Sequence, residues 1–237
     1  EVLDRTIALQ ADPAAVLGDA ELAEPVAALL VEPLADESTR GEALRWGALL
    51  HDAAKPLTRA VGPDGSRVTF VGHDERGAGL ARALLGRLRT SERLRGHVAA
   101  LVRHHLRLGL LVHAPQPPAK RVVFDYLQST SPVEVDVTLL SVADLLAGAS
   151  VGHSDSGTES VAGHMALARA MIREALRWRA DGPPRPLWRG DELATALGIP
   201  EGPRLGAVLG ELAAAQYAGE IGTREQALAH ARAFLVA

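Results

Sequence analysis

The stretch ALRWGALLHDAAKP, residues 43–56, places a His-Asp pair at the end of an apolar helical pattern. His51 and Asp52 directly follow Leu49 and Leu50, and Lys55, one of two lysines in the chain, comes three residues later. Burying a polar pair at the inner end of an apolar helix costs several kcal/mol unless its polar atoms have bonding partners. The stretch therefore predicts a helix whose end meets a hydrogen-bond partner, an ion-pair partner or a metal ion.

Composition limits the classes of protein. A chain of 237 residues with 47% hydrophobic content can bury a full core as one large domain, or as one domain with an appendage. No apolar run approaches the roughly 18 residues that span a bilayer, and Glu1 does not begin a secretion signal. We therefore predict a soluble, cytoplasmic protein with no membrane partner. Because cysteine is absent, a metal would be held by histidine and carboxylate ligands.

Charge is unevenly distributed along the chain. The net charge of −4 and the aromatic content of 3% argue against a surface on which single-stranded nucleic acid stacks. Residues 76–107 nevertheless contain eight arginines and a single acidic residue, Glu92. This segment either forms a local basic surface or is an ordinary solvated helix face.

Apolar residues recur at three- and four-residue steps along most of the chain, which predicts an all-α fold. One exception is the stretch from residue 56 to residue 72, where two β-favouring runs flank Pro63-Asp64-Gly65 and predict a small hairpin flap. The Pro-rich stretch 179–186 predicts a boundary between a domain of residues 1–180 and a helical tail of residues 181–237. The predicted helices cover residues 20–34, 39–54, 73–89, 91–108, 119–128, 133–148 and 158–180.

Two further histidines and one aspartate lie on predicted apolar faces. His105 shares a stripe with Leu94, Val98 and Leu101. His73 is placed on a stripe with Gly77, Leu80 and Leu84, in which Gly77 allows close approach of another helix. Asp144 lies between Val142-Ala143 and Leu145-Leu146, which cannot solvate its carboxylate. Each of these side chains requires a polar partner.

A lone inward histidine is usually a hydrogen-bonded core residue, and a buried aspartate often caps a helix. Five such burials together are explained more simply by one metal ion, or by two ions that share Asp52 as a bridge. Nitrogen and carboxylate ligands without thiolate suit Mn, Fe, Ni, Co or Zn. The candidate ligands are His51, Asp52, His73, His105 and Asp144.

The segments LLHDAAKP, FVGHDERGA, LVRHHLRLG and SVADLLA resemble, in order and spacing, the HD-domain phosphohydrolases. The resemblance is greatest to the HD-containing C-terminal half of bacterial tRNA nucleotidyltransferases and poly(A) polymerase-like proteins, and it extends over nearly the whole chain. It implies an HD-type helical bundle in which His51, Asp52 and Asp144 bind one metal, and His73 and His105 complete a second metal position. It also implies that Lys55 contacts a substrate phosphate.

Two features depart from the pattern of that family. No histidine precedes His51, and the segment VLDRTIAL offers Arg5-Thr6 where the family has a His-Thr pair. Arg5 shares a predicted stripe with Val2 and Leu9, so we expect it to point at the site and to weaken metal binding there. The chain also lacks the Gly-rich turn and paired carboxylates of a nucleotidyltransferase half, so we expect no nucleotide addition.

The resemblance and the ligand set together predict a metal-dependent phosphohydrolase that acts on a nucleotide or RNA-end phosphoester, such as a 2′,3′-cyclic phosphate. Asp52 and Lys55 are the expected catalytic residues. The expected contacts of the substrate phosphate are Lys55, Arg5, Arg103 and His104. The alternative is a non-catalytic body that binds RNA or acts as a scaffold.

Other motifs in the chain are weaker. There is no Walker loop and no His-Glu-x-x-His segment, and Ser, His and Asp in GHSDSGTES, residues 152–160, are neighbours in a predicted loop. Glu134 and Asp136 are expected to cap the helix that carries Asp144. The histidines expected at the surface or in linkers are His113, His153, His164 and His230.

Overall fold

The computed structural model describes residues 1–62, 65, 67–150 and 158–236, and it confirms the all-α class. The helices are α1 (Val2–Ala11), α2 (Pro13–Leu17), α3 (Ala20–Leu30), α4 (Arg40–Leu50), α5 (Lys55–Thr58), α6 (His73–Arg87), α7 (Glu92–His104), α8 (Arg107–Leu111), α9 (Lys120–Thr130), α10 (Glu134–Ser150), α11 (Thr158–Asp181), α12 (Gly190–Leu197), α13 (Pro203–Ala218) and α14 (Arg224–Val236). Among the described residues, no helix is both long and apolar enough to cross a membrane.

Two short hairpins interrupt the helices. Strands β3 (Ala60–Val61) and β4 (Val68–Thr69) pair antiparallel, which confirms the predicted flap, although Pro63 and Asp64 of its turn lie outside the described residues. Strands β1 (Pro33–Ala35) and β2 (Ser38–Thr39) form a second antiparallel pair that the sequence reasoning missed. The prediction of a helix through residue 34 was wrong for its last turn.

The chain forms two compact units, one of residues 1–114 with 130–176 and the other of residues 115–129 with 177–237. In the second unit, Leu193, Val208 and Leu212 belong to a core made by α12, α13 and α14. Phe124 of α9 packs edge-on against Trp178 in the same unit. The division of the chain into residues 1–180 and 181–237 remains a prediction.

The helices of the first unit begin where their sequences provide caps. Thr39 and Glu42 form a reciprocal capping box at the start of α4. The Ser91 side chain accepts the Leu94 N–H at the start of α7. These caps fix the starts of the two helices whose ends carry His51 and His105.

Helices α6 and α7 pack closely side by side, and the contact depends on small residues. The buried face of α6 consists of His73, Gly77, Ala78, Ala81 and Leu85. A Cβ added at Gly77 would lie 3.0 Å from the Val102 Cγ1 atom of α7, so the predicted close approach at Gly77 is confirmed. The predicted stripe was wrong beyond Gly77, because Leu80 and Leu84 are more than a third exposed.

A buried ionic network connects α4, α7 and α10. The Asp136 side chain is fully buried, and it accepts hydrogen bonds from the Arg40 guanidinium, with 3.2 Å from Nε to Oδ1. His97 Nε2 lies 3.6 Å from the same carboxylate. The expectation that Asp136 caps α10 was therefore wrong, since its carboxylate pairs with other helices. This network sets the relative positions of the three helices that carry His51, His105 and Asp144.

Candidate metal centre

Three histidines of the candidate site lie at helix ends. His51 is the C-cap of α4, His105 is the C-cap of α7, and His73 is the first residue of α6. Because α6 and α7 follow one another and pack together, the start of α6 lies beside the end of α7. All three rings are buried. The negative ends of the α4 and α7 dipoles also favour a cation near His51 and His105.

Each of the three rings is oriented by the same local hydrogen bond. The Nδ1 atom donates to the carbonyl three residues earlier, from His51 to Ala48 O at 2.9 Å, from His73 to Phe70 O at 2.7 Å and from His105 to Val102 O at 2.7 Å. A carbonyl can only accept, so Nδ1 carries the proton in every ring. In the neutral rings, Nε2 is then left with its lone pair, which is the arrangement of metal-binding histidines.

The Nε2 atoms of His73 and His105 converge on Asp52. Asp52 Oδ1 lies 3.3 Å from His73 Nε2 and 3.8 Å from His105 Nε2, and the two nitrogens are 3.2 Å apart. Ligand atoms of these three residues all lie within 4.8 Å of one another. Two nitrogens bound to one ion at 2.0–2.1 Å are separated by about 3 to 3.4 Å, depending on the coordination geometry. The observed spacing therefore fits a single divalent ion.

His51 lies on the other side of Asp52. Its Nε2 atom is 3.3 Å from Asp52 Oδ2 and 3.5 Å from Asp144 Oδ1, in neither case with the geometry of a hydrogen bond. His51 Nε2 and Asp52 Oδ1 are both buried without a hydrogen-bond partner within the described chain. Buried polar atoms without a hydrogen-bond partner fit the role of cation ligands, and this supports the predicted metal independently of the spacing.

The two carboxylates favour positive charge at His51. Burial lowers the pKa of His51, but the Asp144 and Asp52 carboxylates outweigh it and raise the pKa to about 10. The same interaction holds the pKa of Asp144 below its usual range, against the effect of burial. A divalent ion bound here would displace the proton from His51 Nε2, so metal uptake would release a proton.

Lys55 lies at the edge of this group. Its Nζ atom is 2.6 Å from Asp52 Oδ2 and 5.7 Å from the centre of the Phe70 ring. The Lys55 side chain is 40% exposed, so it is accessible to a substrate. Since Lys55 pairs with Oδ2, the other oxygen of Asp52 is left facing His73 and His105.

The other predicted phosphate contacts lie farther out. Arg103 is exposed and pairs with Glu75 at 2.7 Å, whereas His104 accepts from Arg107 Nε at 3.1 Å. Burial and the charges of Arg107 and Arg103 lower the pKa of His104 to about 4, so this ring is neutral at pH 7. Arg5 is half-buried on α1, which packs against both α4 and α10. Its guanidinium makes no ion pair with any residue that the structure describes.

Sequence reasoning missed His164, which was expected at the surface. The ring is buried, and its Nε2 atom lies 3.1 Å from Ser141 Oγ, one turn before Asp144 in α10. Its position on the apolar face of α11 with Ala168, Met171 and Ala175 is the signal that was overlooked. Of the other histidines, His113 is exposed as expected.

Two remaining predictions concern minor sites. His230 is only half-buried, and its Nε2 atom bonds to Glu211 Oε1 at 2.7 Å. Most of the Ser, His and Asp cluster in residues 152–160, His153 included, lies outside the described residues.

The candidate site falls within a segment that matches a known protein family. Residues 24–148, which include His51, Asp52, His73, His105 and Asp144, match the HD domain family. The chain belongs to the HD domain family. This confirms the predicted relationship and agrees with the helical architecture of the first unit.

The chain is also similar to two curated proteins. The chain is 36% identical over 195 residues to a CC-adding tRNA nucleotidyltransferase of Thermus thermophilus, covering 81% of this chain and 39% of the relative. It is 37% identical over 186 residues to an A-adding tRNA nucleotidyltransferase of Deinococcus radiodurans, covering 78% of this chain and 40% of the relative. The chain thus spans about two fifths of the length of the curated relatives it matches.

Proposed function

We propose that this HD domain is a divalent-metal-dependent phosphoesterase that acts on nucleotide or RNA-end phosphoesters, such as 2′,3′-cyclic phosphates. The observation that supports this proposal is the set of three oriented imidazoles around Asp52. An oxygen and nitrogen donor set without sulfur suits Mn, Fe, Ni, Co or Zn, as one ion or two.

His73, His105 and Asp52 would hold one ion, and His51, Asp144 and Asp52 would hold a second. A divalent ion bound here would supply a water of lowered pKa and would polarise the phosphoryl oxygens. Asp52 is then the residue on which both positions depend, so its loss affects the whole site.

The chain's own cations bind and orient the substrate in this proposal. Lys55 is next to the metal ligands and accessible, so its ammonium group neutralises a phosphate oxygen. Arg103 and His104 lie beside His105 in sequence and provide further contacts for the phosphate or for the rest of the nucleotide. Arg5 would bring a fixed positive charge where the family has its first histidine, and it too contacts the phosphate.

A panel of metals and substrates tests this proposal. The purified chain is stripped with chelator, reloaded with each divalent metal, and assayed on generic phosphoesters and nucleotide 2′,3′-cyclic phosphates. We expect hydrolysis that depends on the metal and is abolished in Asp52→Asn. The matched control Asp181→Asn, at an exposed aspartate, should retain full activity. Hydrolysis that persists in Asp52→Asn, or that no metal restores, would contradict the proposal.

A second candidate function is a non-catalytic body that binds tRNA. It is favoured by the names of the two relatives, which are tRNA nucleotidyltransferases, and by the prediction that Arg5 stands where the family has a metal-binding histidine. Elemental analysis separates the two functions. A stoichiometric transition metal in the folded chain supports the phosphoesterase function. A folded, metal-free chain that still binds tRNA supports the non-catalytic, tRNA-binding function.

A further inference from the structure

Six of the eight arginines of residues 76–107 lie on α6 and α7, the helices whose ends carry His73 and His105, whereas Arg89 lies between the two helices and Arg107 begins α8. Several of them are engaged locally. Arg82 pairs with Glu92, Arg103 pairs with Glu75, Arg95 donates to Thr90 O, and Arg76 donates to Leu57 O. These contacts account for only part of the positive charge in the segment.

Three further arginines lie at the end of the α6–α7 pair that is opposite His73 and His105. Arg87, Arg89 and Arg93 are exposed, and within the described part of the chain none of them forms an ion pair. The nearby acid Asp36 accepts the Ser91 N–H with its Oδ2 atom at 2.6 Å, and it forms no ion pair with these arginines. We call Arg87, Arg89 and Arg93 the tip arginines. None of the three has an ion-pair partner among the residues that the structure describes.

The backbone at Arg89 gives a second, independent observation. Helix α6 ends in a Schellman motif, with Thr90 N–H bonded to Leu85 O at 3.2 Å and Arg89 N–H bonded to Gly86 O at 3.0 Å. Arg89 occupies the left-handed position of this motif, with φ of 60°, where glycine is strongly preferred. The chain thus keeps a strained arginine where glycine would be more stable, and such strain clusters at functional positions.

We propose that the tip arginines bind the phosphate backbone of RNA. The inference rests on the proposed function, because the opposite end of the same hairpin carries the candidate site for RNA-end phosphoesters. The 15 residues of α6 span about 20 Å at 1.5 Å per residue. At about 3.4 Å per nucleotide along a helical strand, this distance corresponds to roughly six nucleotides. An RNA of this length whose end lies in the site is long enough to reach the tip arginines.

The substitution Arg89→Gly separates binding from stability, because its two expected effects have opposite signs. Glycine relieves the strained backbone, so Tm should rise by about 2–4 °C. Loss of one phosphate contact should reduce the slope of log K against log salt by about 0.7–0.9, measured with a labelled RNA hairpin. A variant that replaces all three tip arginines, Arg87→Gln/Arg89→Gly/Arg93→Gln, should reduce this slope by about 2–3.

Two control variants isolate the role of the charge. Glu37 also has a positive φ, of 61°, so Glu37→Gly should raise Tm in the same way without reducing the salt slope. Arg232→Gln removes an exposed arginine from α14, and it should change neither Tm nor the slope. These controls distinguish a specific contact from the relief of strain and from a general loss of positive charge.

Several results would overturn the inference. They are an unchanged salt slope in Arg89→Gly, an equal loss in Arg232→Gln, absence of RNA binding by the unaltered chain at low salt, or binding to anionic lipid vesicles in preference to RNA. Hydrolysis of a mononucleotide 2′,3′-cyclic phosphate is measured in parallel and should be equal in Arg89→Gly and the unaltered chain. If the unaltered chain binds RNA as expected but hydrolyses nothing, the proposed function fails and the RNA-binding inference stands.

Discussion

His73 Nε2 lies 3.2 Å from His105 Nε2, although each ring already donates its Nδ1 proton to a backbone carbonyl. Two neutral rings in this state present lone pairs to each other, which is repulsive. The contact becomes favourable only when a cation, either a proton or a metal ion, lies between the nitrogens. With Asp52 Oδ1 at 3.3 Å from His73 Nε2, the site presents a third donor to the same cation.

Removing one of these rings should therefore remove metal binding. In His105→Ala we expect metal affinity to fall by at least 10–100-fold, by comparison with the loss seen when even an outer hydrogen-bond partner is removed. The measurement is metal content after dialysis against a graded series of metal buffers. His113→Ala, at an exposed histidine, is the control. Equal metal content in all three proteins would contradict the assignment of His105 as a ligand.

Two glycines of α6 should respond to alanine in opposite directions. Gly77→Ala places a Cβ 3.0 Å from Val102 Cγ1 in a buried contact, so it should destabilise the fold by about 1–3 kcal/mol. Gly79→Ala meets no atom within 4 Å, so it should stabilise the helix by about 0.5–1 kcal/mol. Urea unfolding of both variants measures the difference. Equal changes in the free energy of unfolding would show that α6 and α7 do not approach closely at Gly77.

Asp136→Asn should be strongly destabilising. It leaves the buried Arg40 guanidinium without its carboxylate, for which about 3–5 kcal/mol is typical. The control Asp181→Asn removes an exposed carboxylate and should change the free energy of unfolding by less than about 0.5 kcal/mol. An Asp136→Asn variant as stable as the unaltered chain would contradict the role of this network.

The same network predicts a pH dependence. Burial alone would raise the pKa of Asp136, but His97 and Arg40 hold it below its ordinary value of 3.8. A carboxyl whose pKa is lowered by folding contributes stability that is present above the unfolded value and is lost as pH falls through the folded value. The unaltered chain should therefore lose this stability below about pH 4, and Asp136→Asn should lose less over the same range. Unfolding at pH 7 and at pH 3 measures the difference.

Arg5→His should increase metal binding if Arg5 stands at the place of the family's first histidine. An imidazole can bind a metal, whereas a guanidinium cannot and repels it. Helix α1 packs against both α4 and α10, the helices that lead to His51 and Asp144. Metal content after reconstitution provides the test, and Arg45→His, an exposed arginine of α4, is the control. No gain relative to Arg45→His would show that the alignment of Arg5 with the missing histidine is wrong.

Local sequence predicted those parts of the site that depend on one helix. The stripe of Leu94, Val98 and Leu101 correctly placed His105 inward, because the face of α7 that packs is also its apolar face. The same reasoning failed for α6 beyond Gly77. There the buried face is made of small residues such as Ala78 and Ala81, and larger apolar residues, Leu80 and Leu84, remain exposed. A pattern based on hydrophobicity alone could not identify that face.

Contacts between residues that are far apart in the chain could not be predicted from local sequence patterns. Asp136 resembled a helix cap because it lies in the first turn of α10, but its partner Arg40 is 96 residues away in the chain. His164 pairs with Ser141, 23 residues earlier, and was placed at the surface. A polar residue whose partner is distant in sequence resembles a surface residue until the helices are arranged in space.

The hydrogen bonds from His51, His73 and His105 to their backbone carbonyls orient the three rings only in the folded chain. Metal binding to these rings therefore stabilises the fold. An ion that binds these rings only when the chain is folded adds RT ln(1 + [M]/Kd) to the free energy of unfolding, about 2.7 kcal/mol when the metal is at 100 times its Kd. The melting temperature thereby becomes a measure of metal affinity that requires no substrate. Measuring the melting temperature at increasing concentrations of each ion would rank the metals by their affinity for this HD domain. A chelator should reverse the rise in melting temperature.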